Sequence, residues 1–400
     1  MKSKLVRIFS AISLALLVLI GVYNQQLIQL FHTIRLFNSD VIVHNFSHIP
    51  DLVQTKVIKP TGPVNTFDHS PKALPATFDY YGDSKNTQDW LTATNTTALL
   101  VVKGNDITFE QYYQGTGEFD HRISWSMAKS FLSALFGIAV EDGLIPDLNV
   151  PVTDYVPQLI GSGYEGVSIK NVLQMSSGIY FNEDYGDFFS DINRLGRIMA
   201  LGGSFDDFAA SLSSHKTPGT EMHYVSIDTH VVGMVLRAAT GKRIEQYFAD
   251  KLWSKLGTES EAIYITDSTG EPMVLGGLNI ITRDYARMGK LYRDNGVLNG
   301  EQLVPLSWIE DSLNNNEPHL KAERRADNSV KFGYGYQWWI PLEADQEFLA
   351  IGIYGQYIYV NKKLDVVIVK NSADTNFMAN GYESKVIAVE AFRAIAKSLN

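Results

Sequence analysis

The sequence predicts a mixed α+β or α/β fold, in which both ends of the chain build an antiparallel sheet flanked by helices. Strands are predicted near residue 100 and again in the last quarter of the chain, where β-branched and aromatic residues are frequent. Between these regions, Gly and Pro separate segments whose apolar residues have helical spacing. We therefore expect a sheet domain made of residues 76–142 and 330–400, interrupted by a mainly helical inserted domain at residues 143–329.

Each predicted element rests on its own local pattern. The first two strands enclose the short turn Gly104-Asn105-Asp106, which favours a hairpin. One helix is predicted from near Ser126 to Gly143, and its apolar residues recur at helical spacing. The predicted strands lie at residues 99–103, 107–113, 334–340, 348–353, 356–360 and 366–370. Further helices are predicted at residues 169–175, 206–212, 228–239, 244–256, 282–295 and 383–398.

The composition excludes several classes of site. The chain has a formal net charge of −10 and no basic cluster beyond its first residues, which argues against a nucleic-acid partner. It contains no cysteine, so disulfides, thiol nucleophiles and thiolate metal sites are excluded. The nine histidines show no metal-binding spacing, and no Gly-rich phosphate loop is present. We expect neither a catalytic metal nor a cofactor.

The amino terminus has the pattern of an export signal. Three basic residues in the first seven positions precede an apolar run over residues 8–23. No small-residue cleavage site follows, which favours an uncleaved signal-anchor, residues 1–24, over a cleaved signal. The positive-inside rule then places the bulk of the chain outside the cytoplasm. The expectation is a protein of the bacterial inner membrane and periplasm, with residues 25–75 as a linker and leading segment.

The segment 124–130 supplies the candidate nucleophile. Ser126 and Lys129 are three residues apart, so they share one face if Ser126 opens a helix. A serine hydroxyl needs a base within hydrogen-bond reach, and a lysine kept neutral by its surroundings can be that base. The same spacing recurs at Ser213 and Lys216, but Pro218 and Gly219 follow closely and stop a helix. Ser126 is therefore the better candidate.

Two further segments can supply partners for Ser126. Tyr224, two residues before Ser226, can act as general base and acid if neighbouring positive charge lowers its pKa. The alternative is a tyrosine that caps a loop. Gly355 precedes a predicted strand that begins at Gln356, and glycine permits close approach of a ligand to the backbone. A backbone N–H there can complete an oxyanion hole, although a plain hairpin turn explains the glycine equally well.

An acidic loop between residues 182 and 191 suggests a substrate preference. It carries four carboxylates, Glu183, Asp184, Asp187 and Asp191. One hypothesis is that one of them receives an amine on the substrate, as in an amino-acid amide or an amino-oligomer. The alternative is a solvated acidic loop.

Together these segments resemble the serine beta-lactamase superfamily, in which Ser-x-x-Lys, Tyr-x-Ser or Tyr-x-Asn and a glycine-bearing terminal strand follow in this order. Two other stretches, 173–179 and 276–284, are also similar to family segments. The similarity covers roughly residues 95 to 400. Within the superfamily, the chain resembles most the class C-like esterases and the aminohexanoate-oligomer hydrolases, through its segments 333–339 and 352–356.

The resemblance implies a role for each candidate residue. Ser126 would be the acylated nucleophile and Lys129 its proton acceptor. Tyr224 would protonate the leaving group and later activate water, while Ser226 would hold the Lys129 ammonium or the substrate amide. The N–H groups of Ser126 and Gln356 would form the oxyanion hole.

Two departures from the family pattern narrow the expected substrate. The terminal strand carries Ile353-Tyr354-Gly355 where penicillin-recognising enzymes carry Lys-Thr-Gly or a His variant, and Ser226 replaces an asparagine. The sequence therefore predicts a serine hydrolase that cleaves small esters or amides through an acyl-enzyme. A beta-lactamase or D-peptidase is the alternative enzyme. A penicillin-binding-like sensor without turnover is the alternative outside catalysis.

Overall fold

The computed structural model describes residue 24 and residues 27–399. Within this range, the α-helices are 27–35, Ile42–Asn45, Thr87–Ala93, Ala128–Glu141, Ile169–Leu173, Asp191–Ala200, Phe205–Ala210, Ser226–Thr240, Ile244–Phe248, Thr282–Arg293, Leu306–Ser312 and Ala379–Lys397. Short 3₁₀-helices lie at Ile49–Asp51, Trp125–Met127, Val152–Asp154, Pro157–Leu159 and Pro318–Leu320, and one π-helical turn lies at Ala249–Trp253.

The main sheet has eight strands among the described residues. Their order across the sheet is Gly333–Tyr334, Trp339–Ile340, Glu347–Gly352, Gln356–Asn361, Val366–Ser372, Thr96–Lys103, Asp106–Tyr112 and Asp68–His69. Neighbouring strands are antiparallel, except that the edge strand Asp68–His69 runs parallel to its neighbour. The late strand Val366–Ser372 pairs with the early strand Thr96–Lys103 at the centre of the sheet. The predicted sheet built from both ends of the chain, flanked by helices, is confirmed.

The main sheet is covered by helices on both faces. The helix Thr282–Arg293 packs on the central strands from one side, and the C-terminal helix Ala379–Lys397 packs from the other. Alternate residues of the central strand face the two cores, since Leu100 and Val102 lie in one core and Leu99 and Val101 in the other. This strand is therefore buried on both faces.

A second, smaller sheet joins the amino-terminal segment to the rest of the chain. It contains Thr55–Ile58, Ala262–Ile265, Leu278–Ile280 and Arg122–Ile123, in that order. The sequence analysis did not predict it. The remaining short strands pair at Thr77–Tyr80 with Asp83–Asn86, Val297–Leu298 with Glu301–Gln302, and Glu323–Arg324 with Val330–Lys331.

The proposed domain boundaries stay a prediction. The helix Thr282–Arg293 falls inside the segment assigned to the helical insertion, yet it packs on the main sheet. The helix Ser226–Thr240 instead packs against Ala128–Glu141, which we call the central helix, and against Ile169–Leu173.

One predicted strand is wrong in its extent. Residues 334–340 form two short antiparallel strands, 333–334 and 339–340, because the chain reverses between them. Gln337 has a positive φ of 65°, and its buried side chain donates to the carbonyl of Leu173 at 2.7 Å. A tight turn held by a buried polar side chain replaces the expected continuous strand.

The predicted signal-anchor spans residues 1–24. Of these, residues 1–23 lie outside the described part of the chain. Among the described residues, no helix has both the length and the apolar character needed to cross a membrane.

Candidate active site

Ser126 lies in the 3₁₀ turn Trp125–Met127, immediately before the central helix Ala128–Glu141. Twelve of the fourteen residues of the central helix are buried, so the position of this helix is fixed by packing on all sides. Trp125, the residue before Ser126, has a φ of 41°, in the left-handed region that a tryptophan rarely adopts. The start of the central helix thus presents Ser126 from a strained turn that the surrounding packing holds in place.

Lys129 is one turn further along and only 1% exposed. Its Nζ donates hydrogen bonds to Ser126 Oγ at 3.1 Å, to Ser226 Oγ at 3.3 Å and to the carbonyl of Leu275 at 2.6 Å. Burial lowers the pKa of Lys129 to about 7, although the charge of Glu183 acts in the opposite direction. At neutral pH a large fraction of the lysine is a free amine, which can accept the proton of Ser126.

Tyr224 lies beside both Ser126 and Lys129. Its ring stacks on Trp339 with a centroid separation of 5.3 Å, and Lys129 Nζ is 5.3 Å from its ring centroid. Burial raises the pKa of the Tyr224 phenol, the charge of Glu183 raises it further, and a hydrogen bond with Ser126 only partly offsets this. A role for Tyr224 as general base was expected to need a lowered pKa, but the pKa of its phenol is raised. Tyr224 is a neutral phenol, able to donate a proton.

Ser226 is the first residue of the helix Ser226–Thr240, and it connects Lys129 to the half-buried carboxylate of Glu183. Its hydroxyl accepts from Lys129 and donates to Glu183 Oε1 at 2.5 Å, while its backbone N–H donates to Glu183 Oε2 at 3.0 Å. Tyr185 donates its hydroxyl to the same Glu183 Oε1 at 2.5 Å. The structure therefore adds Glu183 and Tyr185 to the residues around the nucleophile.

The other three carboxylates of the acidic loop have a structural role. Asp184 accepts from the backbone N–H of Gly186, Asp187 from that of Phe189, and Asp191 from that of Asn182. Each bond holds the loop in shape, because a backbone donor finds its acceptor inside the loop. Of the four, Glu183 is the carboxylate that lines the cavity at Ser126.

The terminal hairpin approaches Ser126 at a different residue from the one expected. Gln356 pairs with Gly352 in the hairpin, and its buried side chain donates to the carbonyl of Ser372 at 2.6 Å. Gly352 passes so close to the nucleophile turn that a Cβ there would collide with the carbonyl oxygen of Ser124. Ile353 follows, and within the described residues its backbone N–H has no hydrogen-bond partner. Ile353 N–H is the available second donor for an oxyanion hole, beside the N–H of Ser126.

Two cavities meet at Ser126. The larger has a volume of about 310 Å³ and is lined by Tyr224, Glu183 and Gly355, and by Lys385 of the C-terminal helix. The smaller, of about 110 Å³, is mainly apolar. Three residues line both cavities: Ser126, Tyr185 and Ile353. If the carbonyl of a substrate lies at this junction, its acyl part and its leaving group can occupy different cavities.

The competing Ser213–Lys216 spacing lies away from this centre. Lys216 is exposed and forms an ion pair with Glu221. Ser213 and Lys216 are in a loop rather than at the start of a helix, as the nearby proline and glycine indicate. Within residues 27–399, no three His, Asp or Glu side chains are grouped so as to hold a metal ion.

The family model described as Beta-lactamase matches residues 89–390 of the chain. The chain is 30% identical over 341 residues to the 6-aminohexanoate-dimer hydrolase of Paenarthrobacter ureafaciens. The aligned residues cover 82% of this chain and 84% of that protein.

Two solved structures show the same fold. A Bacillus anthracis protein that carries the name 6-aminohexanoate-dimer hydrolase superposes with a TM-score of 0.78 and 24% identity, over 90% of this chain and 96% of that chain. EstCE1, described as a hydrolase with promiscuous acyltransferase activity, superposes with a TM-score of 0.60 and 13% identity, over 78% and 96% of the two chains. The family match and the 30% identical relative show that the chain belongs to the Beta-lactamase family and is a hydrolase of that family.

Proposed function

We propose that the protein is a serine hydrolase that cleaves small esters or amides through an acyl-enzyme on Ser126. The observation that carries this proposal is the buried Lys129, whose Nζ lies 3.1 Å from Ser126 Oγ and whose pKa is lowered to about 7. A free amine at that distance is the base that a serine nucleophile requires.

In the first half-reaction, Ser126 Oγ attacks the carbonyl carbon of the substrate and Lys129 takes the hydroxyl proton. The N–H groups of Ser126 and Ile353 stabilise the oxyanion that forms. Tyr224 donates its phenol proton to the leaving alcohol or amine and regains a proton from the Lys129 ammonium. The bond from the carbonyl carbon to the leaving group breaks, and the acyl group remains on Ser126.

In the second half-reaction, water attacks the acyl carbon from the larger cavity. Its proton passes through Tyr224 to Lys129, and the bond between the acyl carbon and Ser126 Oγ breaks. Ser126 recovers its proton from Lys129, and a carboxylic acid leaves. Glu183 and Ser226 touch neither reacting atom in this scheme; they hold the Lys129 amine in place.

The names of similar proteins support this substrate class. One relative is named for hydrolysis of a 6-aminohexanoate dimer, and one solved structure is described as a hydrolase with acyltransferase activity. Both descriptions belong to those proteins, and they are consistent with acyl transfer to water at Ser126.

Lys385 favours a second candidate, a beta-lactamase or D-peptidase. The terminal hairpin lacks the Lys-Thr-Gly cation, but Lys385 brings a cation into the same cavity from the C-terminal helix, and burial lowers its pKa to about 8. A substrate carboxylate would be attracted to it. A sensor that is acylated without turnover would use the same contacts.

Labelling combined with a turnover panel tests the proposal. We expect a fluorophosphonate to add one label to the protein and none to Ser126→Ala, as measured by intact mass. We expect p-nitrophenyl esters or amino-acid amides to be turned over faster than a chromogenic cephalosporin. Faster turnover of the cephalosporin would favour the second candidate, and acylation by penicillin without ester turnover would favour the sensor. Failure of the intact protein to react with either reagent would contradict the whole scheme.

We also propose that residues 1–24 hold the protein at the cell envelope, with its catalytic part outside the cytoplasm. The basic start and the apolar run over residues 8–23 support this. In a bacterial host, the full chain should sediment with membranes and be digested by protease added to spheroplasts. A full chain found in the soluble cytoplasmic fraction would contradict the proposal.

A further inference from the structure

The smaller cavity adjoins Ser126. Tyr224 lines the larger cavity and not the smaller one. A leaving group must reach its proton donor, so it occupies the larger cavity with Tyr224. The acyl part of the substrate is then directed into the smaller cavity, because the carbonyl sits at the junction of the two.

Among the described residues, the lining of the smaller cavity carries no charged side chain. Its walls are largely aliphatic and aromatic, and include Leu36, Phe37, Leu195, Met199 and Met273. None of the described residues that line it is Asp, Glu, Lys, Arg or His.

Asn193 and Thr33 in the lining already have partners, whereas the buried indole N–H of Trp125 has none among the described residues. Asn193 donates to the carbonyls of Tyr185 and Asp187, and Thr33 donates to the carbonyl of Gln29. An ammonium or carboxylate in this cavity would lose its hydration with no charged side chain among the described lining residues to pair with it, which is costly.

The amino-terminal segment, residues 27–53, builds one wall of the smaller cavity. The ring of Phe37 stacks on that of Tyr354 with a centroid separation of 5.1 Å, and it packs against the ring of Trp125 with a centroid separation of 5.4 Å. Two further hydrogen bonds hold the segment in place. The Asn45 side chain donates to the carbonyl of Leu36 at 3.2 Å, and the backbone N–H of Ile123 donates to the carbonyl of Phe46 at 3.1 Å. This wall lies outside residues 89–390, the part matched by the family model.

We propose that the smaller cavity binds an uncharged, short aliphatic acyl group, and that the segment 27–53 thereby sets the acyl specificity of the enzyme. The inference rests on the proposed acyl-enzyme at Ser126. A volume of about 110 Å³ equals that of roughly four water molecules at about 30 Å³ each, so a chain of about four to six carbon atoms fills it. The acidic-loop hypothesis of an amine-bearing substrate does not apply to this cavity, because Glu183 does not line it.

A series of p-nitrophenyl esters from two to twelve acyl carbons tests the size of the cavity. We expect kcat/KM to be highest at about four to six carbons and to fall at least tenfold by ten carbons. The hexanoyl ester should exceed the 6-aminohexanoyl ester in kcat/KM by about a hundredfold, because the ammonium has no partner in the cavity.

Variants of Leu36 show whether the amino-terminal segment sets the length. Leu36→Ala should move the optimum to longer chains, and Leu36→Phe should move it to shorter ones. Ile34→Ala, on the same segment but 60% exposed, is the matched control and should leave the optimum unchanged. Titration with a fluorophosphonate counts the folded active sites in each variant.

Three outcomes are decisive. Equal kcat/KM for the hexanoyl and 6-aminohexanoyl esters, or an optimum that neither Leu36 variant moves, would overturn this inference while esterase activity remained. If no ester of any length acylates Ser126, the proposed function itself fails.

Discussion

At the residue scale, the proposed chemistry depends on whether the Lys129 side chain carries a proton. The side chain is buried among Ser126, Ser226 and the carbonyl of Leu275, with Glu183 as the nearby negative charge. Burial disfavours the ammonium and Glu183 favours it, and burial is the larger effect. The two effects together set the pKa of Lys129 to about 7, so the side chain is close to half protonated at neutral pH.

The pH dependence of kcat/KM should report this balance. Because the free amine is the active form, kcat/KM should rise with pH through an apparent pKa near 7. Glu183→Gln removes the charge that raises the pKa of Lys129, so the rising limb should move to lower pH. A limb that stays in place, or moves to higher pH, would show that Lys129 is not the group that titrates.

Tyr224→Phe removes the proposed proton donor while keeping the ring that stacks on Trp339. We expect kcat for esters to fall by about 10²- to 10⁴-fold, the usual size of a general acid–base contribution. The melting temperature should change little. The control Tyr180→Phe alters an exposed tyrosine and should retain wild-type kcat. A Tyr224→Phe enzyme with unchanged kcat would remove Tyr224 from the mechanism.

The residues that the sequence could identify are those defined by local spacing or by order along the chain. Ser126 and Lys129 are one helical turn apart, so their contact follows from the helix alone. Glu183 was not distinguished from its three acidic neighbours, because its position depends on how the loop folds back onto Ser226, 43 residues later. The sequence indicated Gln356 rather than Ile353 as the second oxyanion donor, because the register of a hairpin against a helix is not visible in the sequence, and the role of either N–H stays a prediction.

At the scale of elements, the strand Glu347–Gly352 sets the geometry beside the nucleophile. It packs directly on the 3₁₀ turn that carries Ser126. Gly352 is required at the point of closest approach, because a side chain would meet the Ser124 carbonyl. The oxyanion hole of the proposal is therefore set by how closely a strand end and a helix start can approach.

Gly352→Ala should separate these two elements. The added methyl group forces the strand end or the nucleophile turn to shift, and we expect kcat to fall at least tenfold with a lower melting temperature. Gly117→Ala is the matched control, since a Cβ at Gly117 would meet no other atom within 4 Å. Wild-type kcat in Gly352→Ala would contradict the assignment of Ile353 N–H to the oxyanion hole.

The longer strands were predictable from the sequence and the shortest strands were not. The strands Thr96–Lys103, Asp106–Tyr112, Gln356–Asn361 and Val366–Ser372 were found because each has enough β-branched and aromatic residues to show a pattern. The strands of the smaller sheet have two to four residues, too few for a period to appear. The helix Asp191–Ala200 was missed as well, although Ser190 caps it by accepting from the N–H of Asn193.

At the scale of the whole molecule, the amino-terminal segment packs against the proposed catalytic centre. Residues 25–75 are predicted to be a linker and leading segment, and within this segment Phe37 and Phe46 pack around Trp125 and Tyr354. Trp125 and Tyr354 both have positive φ values, 41° and 58°, and both adjoin residues of the proposed oxyanion hole. Packing from the segment holds these two strained positions in place.

Phe46→Ala should therefore affect both stability and activity. Phe46 is 3% exposed, and truncation of a buried phenylalanine costs about 3–5 kcal/mol of unfolding free energy. We expect a lower denaturant midpoint together with reduced kcat in the remaining folded protein. Phe119→Ala, at a phenylalanine that is 71% exposed, is the control for both measurements. Lower stability with unchanged kcat per folded site would limit the segment to a structural role.

The central claim is that Ser126 carries the acyl group between the two half-reactions. The most direct measurement is to quench the enzyme during turnover of a p-nitrophenyl ester, record the intact mass, and map the modified peptide. The account predicts a mass increase equal to one acyl group, located on Ser126, and no increase in Ser126→Ala. Turnover with no acylated enzyme at any quench time, or an acyl group on another residue, would contradict it.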